Sequence, residues 1–277
     1  MIPRLLIDAP LAVGANVALD EERAHYVRNV MRRSVGDRLL IFNARDGEFD
    51  AALARVDKKA VVARLEARTD RVEALADVEL WLAPVKRAPL ERIVEKATEL
   101  GATRLRLATT ERANAARARL DRLALIAREA AEQSGRLSAP EVIAPRPLFD
   151  VLDGLEPDRR LYFCDEAGDD PNAPWGGPEG RAPSILDVMA REETGVAKAA
   201  ILIGPEGGFA PAERARLRAG PGVAPVGLGP RILRADTAAI AALTLWQAAR
   251  GDWTARLGLA APAAVSGADV ESAPRTA

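Results

Sequence analysis

Glycines at 204, 207 and 208, arginines at 231 and 234, and carboxylates at 206 and 236 are the residues of this chain whose types and spacing suit chemistry. Glycine lets the backbone take positive φ and approach a ligand closely, offering N–H groups to its polar atoms. Arginine adds a permanent cation with a fork of donors, and a carboxylate near a reacting atom can accept a proton. The glycines are followed by no Lys-Ser/Thr and form no G-x-G-x-x-G, so neither a Walker A loop nor a dinucleotide fingerprint is present. A lone glycine loop reads as a tight turn before a helix. Two close in sequence point to a site.

Both loops need elements to hold them. Ala199 to Ile203 is a short apolar run that suits a buried parallel strand, and Gly204-Pro205-Glu206-Gly207-Gly208 follows it. Ala224 to Gly229 is a second run, continued by Pro230-Arg231-Ile232-Leu233-Arg234. Loops after such strands open at the carboxyl edge of the sheet, where α/β proteins bind ligands. Pro211 and Glu213 suit a first helical turn, although Ala210 is a poor N-cap. Asp236 or Thr237 can cap a helix to about Arg250, with Gly251 as its stop.

Gly204 to Gly208 together with Leu228 to Arg234 resembles the C-terminal signature of the bacterial 16S rRNA (uracil-N3)-methyltransferases of the SPOUT superfamily. Lys86 to Gly101, Thr110-Glu111-Arg112, Glu132-Gln133-Ser134-Gly135-Arg136, and His25 with Arg28 and Arg32 agree with it. The resemblance spans roughly residues 1–253. It implies an α/β fold: a C-terminal SPOUT domain with a parallel sheet and a deep trefoil knot, and a small N-terminal PUA-like β-barrel that binds RNA. S-adenosyl-L-methionine is the implied cofactor, held by Ile203, Gly204, Pro205, Glu206, Gly207 and Gly208 and by Leu228, Gly229, Ile232 and Leu233. Methylating N3 of one uridine requires an imide nitrogen to lose its proton and attack the sulfonium methyl in line. Arg234 and Arg231 are the candidates to steady charge on the uracil oxygens, with phosphate binding as their alternative. Glu206 or Asp236 is available as proton acceptor, beside water. Glu206 equally suits closing its loop against backbone N–H groups, and Asp236 suits an N-cap better than a base; the family carries glutamate there.

The whole-chain properties agree. A length of 277 residues, 48% hydrophobic and 29% charged, suits one large or two smaller globular domains. We expect domains at 1–72 and 73–254 and a disordered tail at 255–277, where large side chains are few. The single cysteine, Cys164, and the absence of a leader pattern or membrane-length apolar run predict a cytoplasmic protein. No metal site is expected. The net charge of -1 hides an uneven distribution: residues 78–136 carry 12 Lys and Arg against 8 Asp and Glu, whereas 137–198 carry 6 against 13. RNA contact therefore belongs to the first half and to the neighbourhood of Arg231 and Arg234, and the acidic middle reads as a solvated face turned away.

Arg38 to Phe42, Glu48 to Val56 and Ala60 to Leu65 read as strands of the barrel, and Asp20 to Arg32 as a helix capped by Asp20. His25, Arg28, Arg32 and Arg33 at helical spacing make one RNA-binding candidate, against a plain solvated basic face. Lys86, Arg87, Arg112 and Arg136 make the other, along a basic groove of a homodimer that would meet 16S rRNA within the small ribosomal subunit. The near-continuous apolarity of Ala238 to Ala249 fits either deep burial or that dimer interface. The competing readings are a SPOUT enzyme acting on another RNA site, and a non-catalytic RNA-binding assembly factor.

Overall fold

Strands with one dry face come first, as the alternation of apolar and polar residues dictates. The computed structural model describes residues 2–113, 118–170, 172–173, 176–192 and 198–254, so the expected tail at 255–277 lies outside the described residues. β1 (Arg4–Leu6), β2 (Asn16–Ala18), β3 (Arg38–Asn43), β4 (Gly47–Val56) and β5 (Val61–Arg68) form a sheet in the order β1-β3-β4-β5-β2. Register shifts at Asp50/Ala51 and Leu53/Arg55 bend the β4–β5 pair, and Leu39, Ile41, Phe49, Ala51, Leu53, Ala63 and Leu65 fill the concave side.

The helix between β2 and β3 is shorter than its sequence spacing suggests. Asp20 does cap it, accepting from the Arg23 N–H, but α1 covers only Glu21–His25 and a π-turn follows over Tyr26–Val30. Val27 is fully buried, and the N–H groups of Met31 and Arg33 reach back to Tyr26 and Val27 carbonyls at 2.9 and 3.0 Å, which widens the turn. Arg32 then takes a left-handed φ of 53°. Arg28, Arg32 and Arg33 therefore do not share a regular helix face, which corrects the expectation.

The second sheet is wholly parallel. β6 (Asp77–Leu82), β7 (Arg104–Thr109), β8 (Glu141–Pro147), β9 (Arg159–Cys164), β10 (Lys198–Ile203) and β11 (Val223–Val226) run in the order β11-β9-β10-β6-β7-β8. Successive side chains pass to opposite faces. Leu80, Ile201 and Tyr162 enter the core beneath α2 (Arg87–Glu99), α3 (Leu120–Ser134), α5 (Ile185–Arg191) and α7 (Ala235–Arg250). Trp81, Leu202 and Phe163 enter the core beneath α4 (Leu148–Asp153) and α6 (Pro211–Ala219). Helices on both faces are what the strand and helix alternation predicts.

The chain itself covers only part of α7. Ala238, Ala239, Ala242, Leu243, Trp246 and Gln247 are buried, while Ile240, Ala241, Thr244 and Leu245 remain half-buried. One face of that helix is therefore buried within the described chain, and a second apolar strip along it stays partly exposed.

Candidate active site

A cavity of about 870 Å³ opens at the carboxyl edge of the parallel sheet. Three strand ends meet there, Cys164 of β9, Ile203 of β10 and Val226 of β11, so the loops after all three form its wall. Ile203, Gly204, Pro205, Glu206, Gly207, Gly208, Leu228, Ile232 and Leu233 of the expected set line it, with Arg234 and Asp236 from the start of α7 and Lys86 and Arg112 from beyond β6 and β7.

The glycines divide the work in the first loop. Gly208 has φ +67°, as expected for a residue closing a turn, and its N–H donates to the Pro205 carbonyl at 2.9 Å. Gly204 instead needs to be small, because a Cβ there would lie 2.5 Å from the Phe209 ring. The backbone N–H groups of Glu206 and Gly207 have no partner among the described residues and stand at the cavity wall. Exposed Glu206 likewise makes no hydrogen bond there, so it does not close the loop.

That closing role falls to Glu213, which the sequence reading treated only as a first-turn acid. Its Oε2 accepts from Ala210 N–H at 2.9 Å, giving α6 the cap that Ala210 lacks, and its Oε1 accepts from Glu111 N–H at 2.8 Å. The Thr110-Glu111-Arg112 segment is thereby tied to the glycine loop, and Arg112 Nη1 donates to the Gly207 carbonyl at 3.3 Å.

Asp236 is not the N-cap of α7. Arg234 occupies that position and the helix starts at Ala235; the Asp236 carboxylate, inside the first turn, accepts from Thr237 N–H at 2.9 Å and from Arg92 Nη1 at 2.7 Å. Partial burial works against ionisation of Asp236, but Thr237 N–H and Arg92 outweigh it and hold the carboxyl below the usual aspartate range. A carboxylate so held is a weaker base than a free one.

The structure separates the remaining basic residues. Arg234 lines the cavity and is exposed, and its side chain has no hydrogen-bond partner among the described residues, as is true of Lys86. Arg231 and Gly229 lie outside the lining, so Arg231 does not join Arg234 at the cavity. Arg87 is exposed and paired with Glu91 at 2.7 Å along α2. Arg136 is buried, its guanidinium donating to the Thr98 and Ala102 carbonyls at 2.9 and 2.8 Å. It is therefore not on the surface of the described chain: it closes the turn after α2, where the helix dipole favours a cation. Between β2 and β3, His25 at the end of α1 is exposed and shares a 3.1 Å hydrogen bond with Asn29, while Arg28 of the π-turn donates to the Asp57 carbonyl at 2.8 Å.

The acidic stretch does not turn away from the site. Asp165 is buried at the end of β9, bound by Arg214 at 2.9 Å and Arg218 at 2.7 Å, and Glu166 lines the cavity beside it. Burial raises the Glu166 carboxyl above its ordinary value, against a backbone hydrogen bond from Leu233. Both follow β9 as Gly204 follows β10, and that shared position was the available signal. Arg92 was also missed, although Lys86, Pro89 and Arg92 sit at helical spacings of three and all reach the cavity. Among the described residues no cluster of His, Cys, Asp or Glu is placed to hold a metal ion, and no helix is long and apolar enough to cross a membrane.

Known proteins share this arrangement. The family model described as an RNA methyltransferase domain matches residues 72–247, and that of an RNA methyltransferase PUA domain matches residues 19–66. Ribosomal RNA small subunit methyltransferase E of Rickettsia conorii is 29% identical over 87% of this chain and 93% of its own length. That of Bacillus subtilis is 30% identical over 80% and 86%. A Legionella pneumophila structure, described as a methyltransferase with bound S-adenosylmethionine, is 29% identical with a TM-score of 0.77 and covers 91% of this chain and 99% of its own. The Neisseria gonorrhoeae ribosomal RNA small subunit methyltransferase E shares the fold, with 24% identity, a TM-score of 0.80 and coverage of 91% and 100%.

Proposed function

Because the chain belongs to the RNA methyltransferase family, we propose that it transfers a methyl group from S-adenosyl-L-methionine to N3 of one uridine in 16S rRNA of the small ribosomal subunit, in the cytoplasm. The observation that carries this reading is the cavity: both glycine loops line it, and an unpartnered arginine stands with them. Its chemistry suits the cofactor. Free N–H groups of Glu206 and Gly207 suit polar edges, Ile203, Leu228, Ile232 and Leu233 suit an adenosyl group, and Glu166 suits hydroxyls or an ammonium. The cofactor, when bound, supplies an electrophilic methyl on a sulfonium.

The chain's own residues do the rest. Arg234 steadies the negative charge that builds on the uracil oxygens as N3 loses its proton, and holds the ring in line. The N3 proton leaves to water or to a carboxylate, and the nitrogen so freed would be placed to take the methyl group when the cofactor is bound. Asp236, held by Arg92, is a poor acceptor in the free enzyme, and exposed Glu206 is the alternative. Arg231 serves RNA phosphate rather than the reacting base. Lys86, Arg87 and Arg112, with His25, Arg28, Arg32 and Arg33 between β2 and β3, extend the RNA contact. The chain divides into a PUA-like RNA-binding unit at 1–72 and a SPOUT unit at 73–254. The insertion of β10 between β9 and β6, with β11 beyond β9, supports a trefoil knot. The half-covered face of α7 supports a homodimer.

The test is mass spectrometry of 16S rRNA nucleosides from a strain lacking the protein, with wild type or Arg234→Ala added back. Loss of 3-methyluridine that only wild type restores supports the reading; unchanged 3-methyluridine refutes it.

A further inference from the structure

Glu213 is a buried carboxylate, 7% exposed, that pairs with no cation among the described residues. Its two oxygens accept from backbone N–H groups of two different loops, Glu111 after β7 at 2.8 Å and Ala210 after β10 at 2.9 Å. Above it the same loops touch again. Arg112 donates to the Gly207 carbonyl at 3.3 Å, and a Cβ on Gly207 would sit 3.5 Å from that of Arg112. The carboxylate occupies the first turn of α6, where the helix dipole also favours negative charge. A glutamine would serve poorly, since its amide presents one acceptor and one donor to two donors.

We infer that Glu213 is a positioning residue that couples the Arg112 loop to the Gly204 to Gly208 loop, so that cofactor binding strengthens RNA binding. The inference rests on reading the cavity as the cofactor site and Arg112 as an RNA contact. Ordering the glycine loop around a ligand fixes Ala210, which fixes the carboxylate, which fixes Glu111 and with it Arg112. By linkage, RNA on Arg112 tightens the cofactor by the same factor. Exposed lysines and arginines elsewhere add affinity for RNA without this reciprocity.

Two measurements test it. Amide hydrogen exchange of the wild-type protein with S-adenosylhomocysteine, a cofactor product with no methyl to transfer, is expected to show slowed exchange at Glu111 and Ala210 alike. Calorimetric affinities for that compound with and without unmethylated small subunits are expected to differ about fivefold or more in wild type, and by less than about twofold in Glu213→Gln, whose residual binding persists. Slowed exchange at Ala210 with none at Glu111, or equal coupling in wild type and Glu213→Gln, overturns the inference and leaves the cofactor site standing. A wild type that binds no S-adenosylhomocysteine overturns the site reading and the inference together. The exchange measurement needs no variant, so a Glu213→Gln protein that fails to fold does not remove the test.

Discussion

The Arg234 guanidinium has no hydrogen-bond partner among the described residues, whereas its neighbours on the cavity are engaged: Arg92 with Asp236, Arg112 with Gly207 and Arg214 with Asp165. A free guanidinium there is available to the reacting base, while replacing it leaves no buried partner behind. Arg234→Ala is therefore expected to lower kcat by about 10²- to 10³-fold, the size of losing one well-placed charge donor, with cofactor affinity and thermal stability near wild type. Single-turnover methyl transfer and calorimetry check this, and a parallel loss of cofactor binding would move Arg234 to ground-state binding. Asp236 makes the contrasting case. Its folded value is held below that of an unfolded aspartate, so it stays ionised through the neutral range and gives no rate limb between about pH 6 and 8. Asp236→Asn should leave any acid limb of the rate–pH profile where wild type has it. A limb that vanishes in the variant would make Asp236 the proton acceptor.

The elements that carry these residues are held from the opposite edge of the sheet. Glu79 of β6 is 1% exposed in its side chain and is met by Arg104 at 2.8 Å, Arg106 at 2.5 Å and the Trp81 Nε1–H at 2.9 Å. Arg159 of β9 crosses beneath, bonding Asp77 at 2.9 Å. Burial raises the Glu79 carboxyl, but Arg106, Trp81 and Arg159 outweigh it and leave the value lowered; Arg159 lowers Asp77 directly. A lowered folded value means that stability is present above the unfolded value of about 4.5 and is lost as pH falls through the folded one. Glu79→Gln, which leaves Arg106 without its carboxylate while Arg159 keeps Asp77 and Glu156, is expected to cost about 1–3 kcal/mol at neutral pH and to flatten the acid side of the stability curve. Denaturant titrations from pH 3 to 7 measure both, and an unchanged slope would remove Glu79 as a source of acid sensitivity. None of this was legible in Val78 to Ala83, which reads as an ordinary apolar strand, because the cations arrive from the paired strand β7 and, across β10, from β9. The catalytic edge was more legible, since a glycine loop after a β-branched run is local. Arg136 and Asp165 show where local reading stops: each is a surface residue by type, and only the packing of α2 and α6 makes it a buried one.

At the scale of the whole chain, one arginine joins the two sheets. Arg4 of β1 lies 4.2 Å over the Phe42 ring, pairs with Glu48 at 2.8 Å, and donates to the Glu132 and Arg136 carbonyls at 2.9 and 3.0 Å, so a strand of the first sheet caps the end of α3 beside the second. Glu132 answers by accepting from Leu6 N–H at 3.0 Å, and Arg128 reaches Glu22 at 2.9 Å. The Glu132 to Arg136 motif is thus a joint rather than a contact for RNA. Such a joint fixes how far the basic turn at Tyr26 to Arg33 stands from the cavity, and an RNA that touches both must match that span. Removing Arg4 takes from Glu48, which is 4% exposed, its ion-pair partner and releases the Glu132 and Arg136 carbonyls, a loss of about 3–5 kcal/mol. The wild type is expected to unfold in one calorimetric transition and Arg4→Ala in two, the second sheet melting separately. Cofactor affinity should be unchanged in Arg4→Ala, because no group of the joint lines the cavity, while the KM for small subunits rises. A variant that still unfolds in one step with an unaltered KM would show that the remaining contacts, Arg128 with Glu22 among them, set the span without Arg4.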